Sequence, residues 1–189
     1  MRKVIVSMFV TLDGFIAGPN GELDWMPGNT KPNKEIDTHI YQFLDTVDTV
    51  LLGHTTYELF VDFWPSATTV DDISADKLNA IPKIVFSSTL EKVEWGKWNN
   101  ARLVKQDAKE EILKLKNQPG KDMVIFGGAN LVQSFANMGL IDEYQLFVVP
   151  IILGSGKPLF RNIMSRVNLR LLETKAFKSG TALLTYSLE

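Results

Sequence analysis

Short apolar runs alternate with amphipathic segments along most of the chain. Val4–Val10 is an almost unbroken apolar run, which is typical of a central strand that is covered on both faces. Helices are predicted where apolar residues recur every three or four positions, and strands where short apolar runs end in turn residues. The further predicted strands are Thr49–Leu52, Lys83–Phe86, Arg102–Lys105, Met123–Phe126 and Glu143–Val149. The predicted helices are 36–47, a helix beginning at Thr55, Ser74–Ala80, Asp107–Lys116 and Ala129–Met138.

This alternation predicts the α/β class, with a mainly parallel central sheet and helices on both faces. The segment 169–189 adds two further strands that meet at Lys178-Ser179-Gly180, so a C-terminal antiparallel hairpin is expected. Residues 18–33 are rich in glycine, proline and asparagine and predict a long loop of the kind that often covers a binding site. The length of 189 residues predicts one domain, 1–189.

Composition narrows the function classes. The net charge of −2 gives no electrostatic case for binding nucleic acid or an anionic membrane. The absence of cysteine excludes thiol catalysis and cysteine-ligated metal, and two histidines make a histidine-rich metal site improbable, so no metal is expected. The first apolar run is short and meets Asp13 early, unlike a signal peptide, which favours a cytoplasmic location.

Three motifs follow predicted strands, where parallel sheets bind their ligands. Gly127-Gly128 leads directly into a helix, whose free N–H groups favour an anion such as a phosphate. Gly53-His54-Thr55-Thr56 makes a similar strand-to-helix junction, and Ser87-Ser88 follows another strand. Each motif alone also fits a simple turn or helix cap, whereas the ordered set points to a nucleotide-binding enzyme.

The ordered set of motifs resembles the dihydrofolate-reductase-like fold, and specifically reductases similar to the C-terminal domain of the bacterial riboflavin-biosynthesis deaminase/reductase. The resemblance spans nearly the whole chain. The residues that carry it are Thr11–Ala17, Asp24-Trp25, Leu52–Glu58, Val85–Ser88, Gly127-Gly128, Gly139–Glu143 and Gly154–Phe160.

The resemblance implies an NADPH cofactor, with NADH not excluded, lying across the strand ends. The 2′-phosphate would lie at the Gly53–Thr56 turn, the adenosine near Ser87 and Ser88, and the nicotinamide near Thr11–Ala17. The pyrophosphate would lie at a Gly127-Gly128 turn with a cis peptide bond. The implied cofactor-binding residues are Ala17, Gly53, His54, Thr55, Thr56, Ser87, Ser88, Gly127, Gly128, Ala129 and Asn130.

This chain differs at three positions from the reductases that it resembles. Many relatives carry arginine where this chain has His54, so the preference for NADPH over NADH is expected to be modest. The riboflavin reductases typically have lysine and glutamate where this chain has Phe15 and Phe126. A related reduction of another planar substrate is therefore favoured over the riboflavin-pathway reaction.

Two acids are candidate catalytic residues. Asp13 follows the first strand, where it would orient substrate or relay a proton, or only close a turn. Asp37 matches the position at which dihydrofolate reductases carry their pterin-binding acid, although a solvated helix carboxylate is the alternative. Candidate substrate-binding residues are Phe15, Trp25, Tyr57 and Lys157, with Arg161 as a second cation.

These observations predict a reductase that transfers hydride from NADPH or NADH to a small planar, pteridine- or pyrimidine-like substrate. The alternative is a non-catalytic nucleotide-binding module on the same fold. The resemblance also implies a homodimer, because relatives often pair.

Overall fold

A computed structural model describes residues 1–28 and 33–189. Residues 29–32, near the end of the predicted 18–33 loop, lie outside the described residues. The strands are β1 (Val4–Thr11), β2 (Phe15–Ala17), β3 (Val47–Gly53), β4 (Lys83–Phe86), β5 (Ala101–Val104), β6 (Asp122–Ile125), β7 (Glu143–Val149), β8 (Lys157–Pro158), β9 (Leu169–Ala176) and β10 (Ala182–Leu188). The helices are α1 (Lys34–Phe43), α2 (His54–Phe63), α3 (Ala75–Ala80), α4 (Ala108–Lys116) and α5 (Ala129–Asn137).

One large sheet organises the described chain, in the order β5-β4-β3-β6-β1-β7-β10-β9. The pairings from β5 to β7 are all parallel, whereas β10 runs antiparallel to both β7 and β9. β2 and β8 form a separate antiparallel pair. The predicted fold class is confirmed, because a mainly parallel sheet ends in a C-terminal antiparallel hairpin.

Helices cover both faces of the sheet. Val6 of β1 packs in a cluster with Ile112 of α4 and Phe135 of α5. Its neighbour Ile5 points to the opposite face and packs in a second cluster, which includes Leu78 of α3. Successive strand residues face opposite sides, so a strand that is buried on both sides needs an unbroken apolar run.

The first predicted helix, 36–47, is too long. α1 ends at Phe43, a single 3₁₀ turn follows over Leu44–Thr46, and Val47 already belongs to β3. The Thr46 hydroxyl donates to the carbonyl oxygen of Phe43 at 2.7 Å, which helps to end the helix. Val47 pairs with Asp122 of β6, so pairing in the sheet overrides the helical spacing of this residue.

Thr55-x-x-Glu58 and Asp107-x-x-Glu110 have the sequence spacing of capping boxes, but neither acts as one, although both helices are present. Gly53 is the N-cap of α2, which places Thr55 inside the first turn rather than at the cap. Asp107 is the N-cap of α4, but its backbone has φ of 55° and its side chain makes no capping hydrogen bond. These helix starts are set by the strands that precede them, and side-chain caps do not contribute.

Candidate functional site

A cleft of about 1630 Å³ lies at the carboxyl ends of the parallel strands. Gly53, Ser87, Lys105 and Gly127 line it, and each of these follows or ends one of the strands β3, β4, β5 and β6. These four strands are neighbours in the sheet. The three strand-end motifs identified from sequence are therefore brought together in one cleft.

The centre of this cleft contains two helix N-termini. α2 begins after Gly53 and α5 begins after Gly128, and neither helix has a side-chain cap. They meet closely, because a Cβ atom built on Gly127 would stand 2.9 Å from Cγ2 of Thr56. Uncapped N–H groups and two converging helix dipoles favour a group with two negative charges, such as a diphosphate.

The expected cis bond between Gly127 and Gly128 is wrong, since this peptide bond is trans. The turn is made instead by the positive φ of Gly128, 92° with ψ of 92°. Glycine adopts this backbone conformation without the steric cost that a side chain would impose. The residue type is therefore explained by the turn itself.

His54 lies at the end of the cleft formed by β3 and β4. Its Nδ1 is 2.9 Å from the Thr89 hydroxyl and 3.3 Å from the Ser87 hydroxyl. Its Nε2 is 3.0 Å from the Glu58 carboxylate, one helical turn further along α2. A neutral ring in this position donates from Nε2 to Glu58 and accepts at Nδ1, so both nitrogens have protein partners. Sequence analysis missed Thr89 and Glu58, although the (i, i+4) spacing on a helix was a signal for Glu58.

Asp37 lines the cleft from α1 and is half-buried. Burial raises the pKa of this carboxyl, the negative charge of Asp72 raises it further, and a hydrogen bond from the Asn33 backbone opposes both effects. Asp72 lines the same cleft. Asp37 therefore holds a proton more readily than a free aspartate does, and a protonated carboxyl can donate a hydrogen bond or a proton.

Apolar side chains also line the cleft. Met26 lines it from the loop that follows β2, and Phe60, Phe63 and Trp64 line it from α2 and the turn after it. Phe63 is 47% exposed, which leaves much of its ring open to a ligand. A flat, uncharged ring system fits a surface of this composition.

Asp13 does not line the cleft. Its carboxylate accepts hydrogen bonds from the Thr11 hydroxyl at 2.6 Å and from the backbone N–H groups of Leu153 and Gly154 at 3.3 and 2.7 Å. The Thr11 bond lowers the pKa of Asp13 most, and together with the bonds from Gly154 and Leu153 it outweighs the opposing effect of desolvation. The carboxylate thus fastens the loop after β7 to the end of β1, in line with the turn-closing alternative.

Three predicted substrate-binding rings also lie off the cleft. Tyr57 is buried in the core, where its hydroxyl accepts from the Glu94 N–H at 2.8 Å and is 3.2 Å from the Glu94 carbonyl oxygen. Phe15 belongs to β2 and pairs with Pro158, and Trp25 is half-buried in the loop that follows β2. The ring of Tyr57 packs in the second core cluster with Leu52 and Trp95.

The other predicted residues do line the cleft. They are Ala17, Gly53, His54, Thr55, Thr56, Ser87, Ser88, Gly127, Gly128, Ala129, Asn130, Lys157 and Arg161. Lys105 lines it as well and was missed, because the sequence placed it inside a strand rather than after one. Residues past a strand end enter the site, and strand ends are the least certain part of a sequence prediction.

Metal binding and membrane spanning each have requirements that can be compared with residues 1–28 and 33–189. No cluster of histidine and acidic side chains there has the geometry to hold a metal ion. None of the helices in residues 1–28 and 33–189 has the length and hydropathy needed to cross a membrane.

Comparisons with known proteins agree with this geometry. The family model described as the RibD C-terminal domain matches residues 2–183. The uncharacterized protein YyaP of Bacillus subtilis (strain 168) is 36% identical over 190 residues, which cover 98% of this chain and 94% of the relative.

Two solved structures are also similar. A candidate riboflavin biosynthesis protein from Shewanella sp. PV-4 is 26% identical, with a TM-score of 0.80 over 100% of this chain and 99% of its own. Dihydrofolate reductase from Enterococcus faecalis, solved with NADP(H), is 17% identical and has a TM-score of 0.63 over 99% and 96% of the two chains. The fold is dihydrofolate-reductase-like, and the neighbours are those of an oxidoreductase-like enzyme.

Proposed function

This chain belongs to the RibD C-terminal domain family, and we propose that it is an NAD(P)H-dependent reductase of a small planar heterocycle. The observation that carries the proposal is the pair of uncapped helix N-termini, α2 and α5, which meet at the centre of the cleft. Such a pair is suited to the diphosphate of a dinucleotide.

The cofactor would lie along the strand ends. The turns at Gly53 and Gly128 would hold the diphosphate through their N–H groups, and Ser87 and Ser88 would contact the adenosine end. Ala17 and the loop carrying Met26 would enclose the nicotinamide end. When bound, the dihydronicotinamide supplies a hydride, and the protein's part is to align the two rings and exclude water.

The substrate would be pteridine- or pyrimidine-like. Asp37 offers a carboxyl whose raised pKa helps it to hold a proton, in the same cleft as the apolar side chains of Met26, Phe60 and Phe63. A heterocycle stacked on that surface would hydrogen-bond to Asp37 through a ring nitrogen and receive a proton from it as hydride arrives at the neighbouring carbon. The substrate would thus bind at the opposite end of the cleft from His54.

A non-catalytic nucleotide-binding module is the second candidate. The observation that favours it is the position of Asp13, whose oxygens are engaged with the Thr11 hydroxyl and the backbone of Leu153 and Gly154. Asp37 is then the single candidate acid from the sequence that faces the cleft, and a solvated carboxylate there would leave the protein without a proton donor.

One pair of measurements separates the two candidates. We expect calorimetry to detect NADPH binding in the micromolar range, and a panel of pterins, pyrimidines and quinones to include one substrate that accelerates NADPH oxidation. Binding without accelerated oxidation by any member of the panel would favour the module. If calorimetry detects no heat of binding with millimolar NADPH or NADH, both the reductase and the nucleotide-binding module are excluded.

A further inference from the structure

The carboxyl ends of β3, β4 and β5 carry a row of polar residues set by strand register. Gly53 of β3 pairs with Phe86 of β4, and Phe86 pairs with Val104 of β5. The residues one position further on, His54, Ser87 and Lys105, therefore follow three neighbouring strands at the same height. The Ser87 N–H still donates to the Val104 carbonyl oxygen at 3.1 Å, so the alignment continues past the last paired residues.

The histidine in this row is poorly placed to act as a phosphate-binding cation. Glu58 holds Nε2 at 3.0 Å, and the Thr89 hydroxyl holds Nδ1 at 2.9 Å. A phosphate that bound His54 directly would have to displace Thr89, and the Glu58 carboxylate would remain next to the ring. The Ser87 hydroxyl, which accepts from the backbone N–H groups of Thr89 and Leu90, is better placed to donate to an anion than the ring itself.

Lys105, in contrast, has an uncommitted charge. It is exposed, it lines the cleft, and it forms no ion pair or hydrogen bond with the described part of the chain. The other two cleft cations from the described residues are Lys157 and Arg161, in and after β8. A Cβ atom built on Gly21 would stand 3.3 Å from Lys157 Nζ, which puts that amine beside the loop after β2, at the nicotinamide end.

From this placement we propose that Lys105 is the residue that selects a 2′-phosphorylated nicotinamide dinucleotide over the unphosphorylated one. The Lys105 ammonium pairs with the 2′-phosphate while the Ser87 hydroxyl donates to one of its oxygens. The inference rests on the proposed function, since it needs the dinucleotide to lie with its adenosine end at β4 and β5. The residue that determines cofactor preference is then Lys105, which follows β5, and not His54, which follows β3 and was expected from the sequence to bind the 2′-phosphate.

Asp107 is the opposing charge. It lines the cleft two residues after Lys105, and its carboxylate makes no capping hydrogen bond to α4. A carboxylate in this position repels a 2′-phosphate and can accept from a free 2′-hydroxyl. The balance of Lys105 and Asp107 thus sets the preference, and the two substitutions should move it in opposite directions.

The test measures dissociation constants for two pairs of ligands, NADPH with NADH and adenosine 2′,5′-bisphosphate with AMP. The two members of each pair differ only in the 2′-phosphate. The proteins are the native chain, Lys105→Gln, Asp107→Asn and Lys109→Gln. Lys109 is an exposed lysine on α4 that does not line the cleft, so it controls for the change in net charge. Melting temperatures of all four proteins check that these exposed substitutions leave the fold intact.

We expect Lys105→Gln to weaken NADPH and the bisphosphate about tenfold, as the loss of a charge-assisted contact should, and to leave NADH and AMP unchanged. Asp107→Asn should tighten the two phosphorylated ligands, and Lys109→Gln should change nothing. If Lys105→Gln leaves the NADPH to NADH ratio as in the native protein, this inference fails while the proposed function stands. If the native protein binds none of the four ligands, both fail.

Discussion

At the scale of single residues, the carboxylate of Asp37 lowers the stability of the folded protein and is also the candidate proton donor. Burial and the charge of Asp72 raise its pKa above the ordinary value of 3.8. Between that value and the raised one, the folded protein binds more protons than the unfolded chain, so the free energy of unfolding falls as pH rises through this window. At neutral pH the folded protein carries the full cost of an ionised, half-buried carboxylate.

Asp37→Asn is therefore expected to stabilise the protein and to impair the reaction. We expect the free energy of unfolding at pH 7 to rise by no more than about 1 kcal/mol, because solvent screens a half-exposed group. At a pH well below 3.8, where Asp37 is protonated in both the folded and the unfolded chain, this gain should vanish. The rate of substrate reduction should fall by about 10²-fold or more if Asp37 supplies the proton.

Urea unfolding at the two pH values and a turnover assay measure both effects. Asp62→Asn, which removes an exposed carboxylate on α2, is the matched control. A variant that is less stable than the native protein at pH 7 would contradict the account, since Asp37 would then be making a favourable charge interaction.

The two candidate acids show what sequence position can predict about single residues. Asp13 and Asp37 were both singled out by position relative to a motif, and the structure brings only Asp37 to the cleft. The difference comes from Leu153 and Gly154, whose N–H groups bind Asp13 from about 140 residues away along the chain. A contact of such sequence separation has no local signal.

At the scale of elements, the junction of α2 and α5 builds the centre of the site. A Cβ atom at Gly127 would stand 2.9 Å from Cγ2 and 3.1 Å from Oγ1 of the buried Thr56. The absence of a side chain at Gly127 thus lets the two helix starts approach each other. The glycine pair is needed for this packing whether or not a ligand is bound.

Gly127→Ala should lower the free energy of unfolding by about 1–3 kcal/mol, the usual cost of overpacking a close contact. Thr56→Ser removes the Cγ2 methyl group that the new side chain meets, so the cost of Gly127→Ala should be smaller in that background. Urea unfolding of both single variants and the double variant gives the coupling energy. If Gly127→Ala lowers the free energy of unfolding equally in the native and Thr56→Ser backgrounds, contact with Thr56 does not limit how closely α2 and α5 approach.

Predictability at this scale depends on how regular an element is. β7 was predicted with its observed bounds, Glu143–Val149, because its apolar run is long and flanked by clear turns. β2 and β8 were missed, since three and two residues are too few to show a period. Val47 was assigned to the wrong element because a buried strand residue also fits helical spacing.

At the scale of the whole molecule, the site depends on the order of strands in the sheet. β3 and β6 lie side by side although β4 and β5 come between them in the chain, and this brings Gly53 next to the Gly127-Gly128 turn. The alternation of strands and helices predicted only the fold class, and the order of the strands was not predicted. The row of His54, Ser87 and Lys105 follows from register, which sequence alone did not give.

The sheet ends at β9, and its outer side is the expected surface for a second copy of this chain. Within residues 1–28 and 33–189 no strand pairs with that edge, and Leu171 and Leu172 are 50% and 48% exposed on it. An exposed apolar edge of this length is a liability unless it is covered. The register of β9 shifts at these leucines, so we expect apolar packing between copies rather than one continuous sheet.

Sedimentation equilibrium at micromolar concentration should therefore give twice the chain mass of 21.2 kDa. Replacing both leucines, Leu171→Lys with Leu172→Lys, should yield a monomer, because a two-fold interface would bring four ammonium groups together and remove its apolar centre. Val70→Lys, at a side chain that is 92% exposed elsewhere on the surface, should leave the dimer intact. A native protein that sediments as a monomer, or a double variant that still pairs, would show that β9 is not the interface.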